Sequence, residues 1–381
     1  MDIAYISRFA SVDIRNWSGT EYYIAKAIGE KVGNDLTSIV GLQEELNFAT
    51  RLKYQINTKL GKKYHLNRSP HVVKQYAKQV ELQLKNKSAD IIFSPGTIPI
   101  AHLRCKQPKV FYTDATFVAM IDYYDWYKHL SSATIREGLE LDQAAIDSSQ
   151  LAIFASNWAA DSAINSYGAS PEKVKVVPFG ANLDIEPAFE DIRESVIRRD
   201  TNICKIIFFG VDWERKGGDI VFNTVKELIS VGLKCELHII GLDQLPTEVE
   251  SAPFVYKHGF ISKATSNGLK TIESILKDCH FLFMPSKAEA YGLVYCEASA
   301  YGLPSIATKT GGITTIIKDD QNGFTFPLDT KPCVYADYIY QIFTNKKIYE
   351  ELALSSYNEY RSRLNWEVAG RTINNYLKEL L

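Results

Sequence analysis

Short runs of consecutive apolar residues recur along the chain, separated by stretches with the three-to-four-residue apolar spacing of a helix. Residues 2–9 form the first run and predict a strand; a polar, turn-like segment over 10–19 then leads into a helical pattern over 20–31. A second strand is expected over 36–40, helices over 43–60 and 70–88, and strands over 90–94 and 109–113 that end in polar residues. Residues 151–155 and 174–178 predict two more strands, the first leading through Ser156 and Asn157, either of which can cap, into a helix over 159–167. A charged stretch, 183–202, shows no strand period and reads as a linker. The rhythm then restarts, with strands over 204–209, 235–240, 254–258, 280–284 and 305–307 and helices over 217–231, 271–276 and 293–301. Residues 334–381 read as helix, with Trp366 and Val368 as buried anchors.

Apolar, non-alternating strands that alternate with helices predict an α/β fold whose parallel sheets are covered on both faces. Two such blocks divided near residue 190 predict two Rossmann-like, doubly wound domains, 1–190 and 191–360, followed by a terminal helix over 361–381. Such sheets bind ligands beyond the carboxyl ends of their strands, which puts the expected active site in a cleft between facing strand edges.

Composition narrows this only a little. The 381 residues are 46% hydrophobic, which requires a folded core, and 43 basic against 45 acidic side chains give no reason to expect a nucleic-acid partner. Six cysteines, at 105, 204, 235, 279, 296 and 333, show neither metal-ligand nor disulfide spacing. No basic, apolar leader opens the sequence and no apolar run reaches the length of a membrane span, so a cytosolic location is expected, with peripheral membrane contact left open. One region departs from the balance: residues 43–88 carry repeated Lys and Tyr that suit a helix surface, an acceptor groove or a membrane-facing patch, and within them 53–74, with Lys59, Lys62, Lys63 and Arg68, is locally basic.

Candidate chemistry concentrates in the second half. A strand ends at Gly210, and the loop after it presents Arg215 and Lys216 before two glycines. A planar guanidinium beside a compact ammonium suits a diphosphate, although such pairs also occur as solvated charge. Glu289 and Glu297 lie eight residues apart across a strand-to-helix transition. With the helix beginning at Gly292 or Leu293, its free N–H groups favour an anion, and the two carboxylates can hold sugar hydroxyls. The alternative is a solvated loop acid and a helix-face acid with a cationic neighbour. In the first half, Gly19 stands where a loop enters a helix, and Asp114 at a strand end is an acceptor-hydroxyl candidate or a helix cap. Neither a dinucleotide Gly-x-Gly-x-x-Gly fingerprint nor a phosphate loop ending in Gly-Lys-Ser/Thr is present. No histidine pair has zinc spacing, and Cys296 reads as a buried helix residue.

Taken in order, Gly19, Ser156-Asn157-Trp158, the segment 174–182, Arg215-Lys216-Gly217-Gly218, the Glu289/Glu297 pair and Gly311-Gly312 resemble the retaining nucleotide-sugar glycosyltransferases of the GT-B type, specifically glycosyltransferase family 4 with its E-x7-E signature. The resemblance implies two Rossmann-like domains facing across a cleft and transfer of a hexosyl group from a UDP- or GDP-linked sugar to a hydroxyl of a saccharide or lipid-linked saccharide. It implies that Arg215 and Lys216 bind the donor diphosphate, with Gly210 at the strand end behind them. Glu297 contacts the ribose, and Glu289 holds a hydroxyl of the transferred sugar, helped by backbone groups of Ala290, Tyr291, Gly292 and Leu293. Gly19 would approach the diphosphate, and His258, Gly259 and Phe260 would lie beside the base. No metal or other cofactor is expected. Where many members carry a histidine near the transferred sugar, this chain has Tyr112-Thr113-Asp114-Ala115, so Asp114 inherits the location without the role. Competing readings are a non-catalytic sugar-nucleotide binding protein and another enzyme of the same fold, such as an epimerase or a pyridoxal-phosphate-dependent phosphorylase.

Overall fold

The computed structural model describes residues 1–9 and 16–381, so most of the turn-like segment expected over 10–19 lies outside it. The chain divides into two compact units, one built from residues 1–178 with 366–381 and the other from 179–365.

Six parallel strands form the sheet of the first unit: β1 (Asp2–Ile6), β2 (Asp35–Ile39), β3 (Ile91–Ser94), β4 (Lys109–Thr113), β5 (Leu151–Phe154) and β6 (Val174–Val176), in the order β2-β1-β3-β4-β5-β6. The inner strands β3 and β5 are buried along their whole length, whereas the edge strand β2 carries Asp35, Thr37 and Ser38, as expected where one side meets water. Helices α1 (Thr20–Ile28), α2 (Phe48–Lys59), α3 (Pro70–Leu84), α4 (Phe117–Met120), α5 (Ser132–Ser148) and α6 (Asn157–Tyr167) connect the strands. Ser156, of the two capping candidates, accepts the Ala159 N–H at 3.3 Å, and α6 stops at Gly168, whose φ of 64° is left-handed.

Helix α5 has no counterpart in the hydrophobic pattern, because much of its inner face is polar. Thr134, Glu137 and Asp142 are all buried. Asp142 accepts hydrogen bonds from Arg68 (3.1 Å), the Thr97 hydroxyl (2.7 Å) and the Phe117 N–H (2.6 Å), while Glu137 accepts from Tyr64 (2.6 Å) and Lys53 (2.8 Å). A carboxylate so fully partnered can enter a core that apolar periodicity would reserve for leucine.

The second unit opens with α7 (Phe189–Arg198), which replaces the linker expected over 183–202. Its Ile192 and Val196 are buried, each worth about 1.5–3 kcal/mol, and the guanidinium of Arg199 donates to the carbonyls of Lys277, Tyr301 and Gly302 and to the Tyr349 hydroxyl. The charge that resembled a linker is the solvent face of an amphipathic helix. Strands β7 (Cys204–Phe209), β8 (Cys235–Ile240), β9 (Val255–Gly259), β10 (Phe281–Met284), β11 (Ser305–Thr308) and β12 (Gly323–Phe326) pair in parallel in the order β12-β11-β10-β7-β8-β9. Around them lie α8 (Gly218–Ser230), α9 (Thr247–Glu250), α10 (Ser266–Asp278), α11 (Leu293–Ala300), α12 (Ile313–Ile316), α13 (Pro332–Thr344) and α14 (Lys346–Arg363). The short strand β12 was not legible in the apolar pattern.

The last helix, α15 (Trp366–Lys378), packs on α1 of the first unit. Trp366 is buried and stacks on Tyr23 with ring centroids 6.3 Å apart, while Val368 is only half-buried. No helix among the described residues is long and apolar enough to cross a membrane.

Candidate functional site

In the second unit the chain winds from β7 through β8 to β9 on one side, then crosses to β10 and continues outward through β11 to β12. The adjacent carboxyl ends of β7 and β10 therefore form a topological switch point, where the loops leave in opposite directions and open a crevice. The residues singled out from the sequence lie on these two loops.

From β7, Gly210 leads into a tight loop that ends at Gly217, the residue before α8. Gly217 has a left-handed φ of 76°, and a Cβ there would lie 2.3 Å from the Pro285 carbonyl oxygen, so the β7 and β10 loops can pack this closely only with glycine at this position. Trp213 braces the loop by donating from Nε1 to Asp219 at 2.7 Å. Asp212 accepts from both the backbone N–H (3.0 Å) and Nε (3.1 Å) of Arg215. The guanidinium then reaches the β10 loop and donates to the Ala288 carbonyl at 2.9 Å, 3.7 Å from Glu289 Oε2. Lys216, buried, donates from Nζ to the same Glu289 carboxylate.

Two cations from one loop thus converge on one buried acid of the other. Glu289 is held from behind as well, because the Gly312 N–H, in the loop after β11, donates to the carbonyls of Glu289 (3.2 Å) and Ala290 (3.1 Å). The Tyr291 hydroxyl donates to the Phe179 carbonyl at 2.7 Å. Gly292 adopts φ 99°, where a Cβ would strike the Tyr295 ring at 2.6 Å, and α11 begins immediately after it at Leu293. Among the described residues no side chain caps that helix; the Tyr295 N–H bonds back to the Gly292 carbonyl at 3.0 Å, and the N–H groups of Leu293 and Val294 are left to an anion or water.

Glu297 lies within α11 and is buried. Both of its carboxylate oxygens accept from Lys263 Nζ at 2.6 Å, and that ammonium also stands 5.1 Å from the centroid of the Phe209 ring at the end of β7. Lys263 was not recognised from the sequence, since it lies 34 residues before its partner on the loop after β9 with no local motif. Cys296 is buried beside Glu297, and burial pushes its thiol up to about 12, which makes it a core residue and a poor nucleophile.

Of the β9 segment, Gly259 and Phe260 adjoin Asp243: the Phe260 N–H donates to Asp243 Oδ1 at 3.0 Å, and Gly259 is left-handed at φ 67°. Phe260 is exposed. The His258 ring instead meets His238, with Nε2 3.0 Å from His238 Nδ1, and His238 Nε2 lies 3.2 Å from Glu236. Burial lowers the pKa of both imidazoles. In the first unit, Gly19 precedes α1 with φ 85°, and Asp114 at the end of β4 accepts from Trp17 Nε1 at 3.3 Å. The cap of the following helix α4 is Thr116. Among the described residues no three His, Cys, Asp or Glu side chains converge to hold a metal ion.

Solved structures align over the full chain. Sucrose-phosphate synthase from Thermosynechococcus elongatus superposes with a TM-score of 0.70, covering 100% of this chain and 99% of that one at 14% identity. The fold is GT-B. Anabaena HepE in complex with UDP-glucose aligns over 100% of both chains with a TM-score of 0.64 at 16% identity. Residues 204–345, which carry both loops of the site, match the family model of glycosyl transferases group 1. An uncharacterized glycosyltransferase of Methanocaldococcus jannaschii is 26% identical over 176 residues, 46% of this chain and 48% of the relative. The aligned segment therefore spans about half the length of that relative.

Proposed function

We propose that this GT-B protein transfers a hexosyl group from a nucleoside diphosphate sugar to a hydroxyl of a saccharide or lipid-linked saccharide, with retention at the anomeric carbon. The observation that carries the reading is the meeting of Arg215, Lys216 and Glu289 beside the start of α11, at the switch point of the second unit. Its support comes also from the match of that segment to group 1 glycosyl transferases and from the fold shared with a protein solved with UDP-glucose.

In this reading the diphosphate lies against Arg215, Lys216 and the N–H groups of Leu293 and Val294 at the start of α11, which stabilise the charge that grows on it as the bond to the sugar breaks. Glu289 orients a sugar hydroxyl while keeping Lys216 in place, and Glu297 takes the ribose. The anomeric carbon loses its bond to the phosphate oxygen and gains one to the acceptor oxygen on the same face. The acceptor proton passes to the departing phosphate oxygen, so neither a protein nucleophile nor a metal is required. Gly259 and Phe260 are base-side candidates, and Asp114 is the acceptor-side candidate of the first unit. The reaction is placed in the cytosol.

The test is a panel of UDP-, GDP- and ADP-sugars, UDP-glucose first, scored for nucleoside diphosphate release with and without saccharide acceptors. Release from one donor class is expected, and Lys216→Ala should lower it about 100-fold or more. Silence across the panel, or near-normal turnover in Lys216→Ala, overturns the proposal. The anomeric configuration of the product by NMR decides retention.

A further inference from the structure

Helix α2 is built inside out. Its one buried side chain is the polar Thr50, and the half-buried Asn57 lies two turns further along the same face. Lys53 joins them there by donating to the buried Glu137 at 2.8 Å. The apolar residues point away from the protein: Phe48 is 81% exposed, Leu52 43%, Ile56 49% and Leu60, the residue that ends the helix, 70%. At intervals of four they form one continuous stripe on the solvent side. Large apolar side chains left this exposed in a row form a contiguous apolar surface, which marks an interaction site.

The charge of the segment that carries the stripe says what covers it. From Leu46 to Val80 the chain carries Arg51, Lys53, Lys59, Lys62, Lys63, Arg68, Lys74 and Lys78 and not one Asp or Glu, in a chain whose basic and acidic residues total 43 and 45. Four of these eight are engaged, Lys53 by Glu137, Arg68 by Asp142, Lys63 by the Asp125 carbonyl and Arg51 by the Leu46 carbonyl. Lys59, Lys62, Lys74 and Lys78 are exposed and pair with no carboxylate among the described residues. On ideal helix geometry Lys59 falls within the apolar stripe, between Phe48 and Leu52 in angle, with a stem long enough to keep its ammonium in the headgroup layer.

We propose that α2 is a membrane-surface helix that lies on an anionic bilayer, with Phe48, Leu52, Ile56 and Leu60 among the acyl chains and Lys59 and Lys62 on the lipid phosphates. An apolar face flanked by lysine, on a helix whose inner face is already tied to the protein, is the chemistry of an interfacial anchor. The assignment does not depend on which reaction the second unit performs.

The experiment is cosedimentation of the full chain with vesicles of phosphatidylcholine, with and without phosphatidylglycerol. Binding is expected to the anionic vesicles, to weaken as salt rises, and to fall roughly tenfold or more both in Phe48→Ser/Ile56→Ser and in Lys59→Glu/Lys62→Glu. Because these side chains are exposed, thermal unfolding should match the parent; if the serine variant does not fold, the charge reversal alone carries the test. Absence of binding to anionic vesicles, or equal binding by the variants, overturns the proposal. So does a self-associated protein in light scattering that Phe48→Ser/Ile56→Ser converts to a monomer without change in lipid binding, since the stripe would then belong to a second copy.

Discussion

Lys263 and Glu297 illustrate how much a single contact adds to a motif. Glu297 is buried with its side chain 3% exposed, and both oxygens rest on one lysine that is itself 41% exposed. Removing the lysine strands a buried charge, while solvent at the lysine end softens the loss. Lys263→Met should therefore cost about 1–2 kcal/mol, below the range for a fully buried pair. Urea unfolding would measure it, and Glu297→Gln in the same chain should recover most of the loss; a loss that the second substitution leaves unchanged would mean the contact is not what matters. His280 gives a second prediction. Burial and the neighbouring Arg199 push its pKa down to about 3, and its Nδ1 accepts the Lys205 N–H at 3.0 Å. With the folded value below that of free imidazole, the unfolded chain takes up the proton first as pH falls. The contribution to stability is complete above about pH 6.5 and declines toward pH 3, by as much as about 1.4 kcal/mol per unit. His280→Asn, which keeps an acceptor for that N–H, should lose about 2 kcal/mol less than the parent between pH 7 and pH 5 in urea titrations. Identical pH dependence in the two proteins would contradict a buried neutral ring.

Between α1 and α15 the decisive feature is a glycine. A Cβ on Gly370 would lie 2.3 Å from the Ala27 carbonyl oxygen, an atom of the α1 backbone that cannot rotate aside. Alanine in a helix interior normally gains about 1 kcal/mol over glycine. Here the helices must separate to admit it, at about 1–3 kcal/mol or more. Gly370→Ala should thus be net destabilising in denaturant unfolding, and a neutral or more stable variant would show that the two helices do not pack this closely. The elements also differ in how well they announce themselves. Strand β10 is four apolar residues in a row and was expected within a residue of its bounds. Helix α5 buries Thr134, Glu137 and Asp142, and the partners of the two acids, Tyr64, Lys53, Arg68 and Thr97, lie 45 or more positions away. Nothing in its local pattern could signal that the cost of burial would be met.

For the molecule as a whole, the chain closes by returning its last helix to the first unit. Trp366 stacks on Tyr23, and Asn374 accepts from Asn34 Nδ2 at 2.9 Å. A chain lacking residues 366–381 should lose protection in β1 and α1 by hydrogen exchange while β7 and β10 in the second unit keep theirs, because each unit has its own core. Uniform loss across both sheets, or none, would show that α15 does not serve the first unit.

Reading the chain as two parallel, doubly wound sheets needed only local information, since buried strands are apolar runs and helices repeat every three to four residues. The same holds for Arg215 beside Lys216 and for Glu289 eight residues before Glu297, which are visible as neighbours in sequence. What those residues do to one another was settled by folding. Glu289 meets Lys216 across 73 positions because β10 lies next to β7, and Glu297 meets Lys263 because the loop after β9 returns over α11. The outward stripe of α2 belongs to the same class: its spacing was always in the sequence, but a helix buries whichever face the rest of the chain covers, and here that face is the polar one.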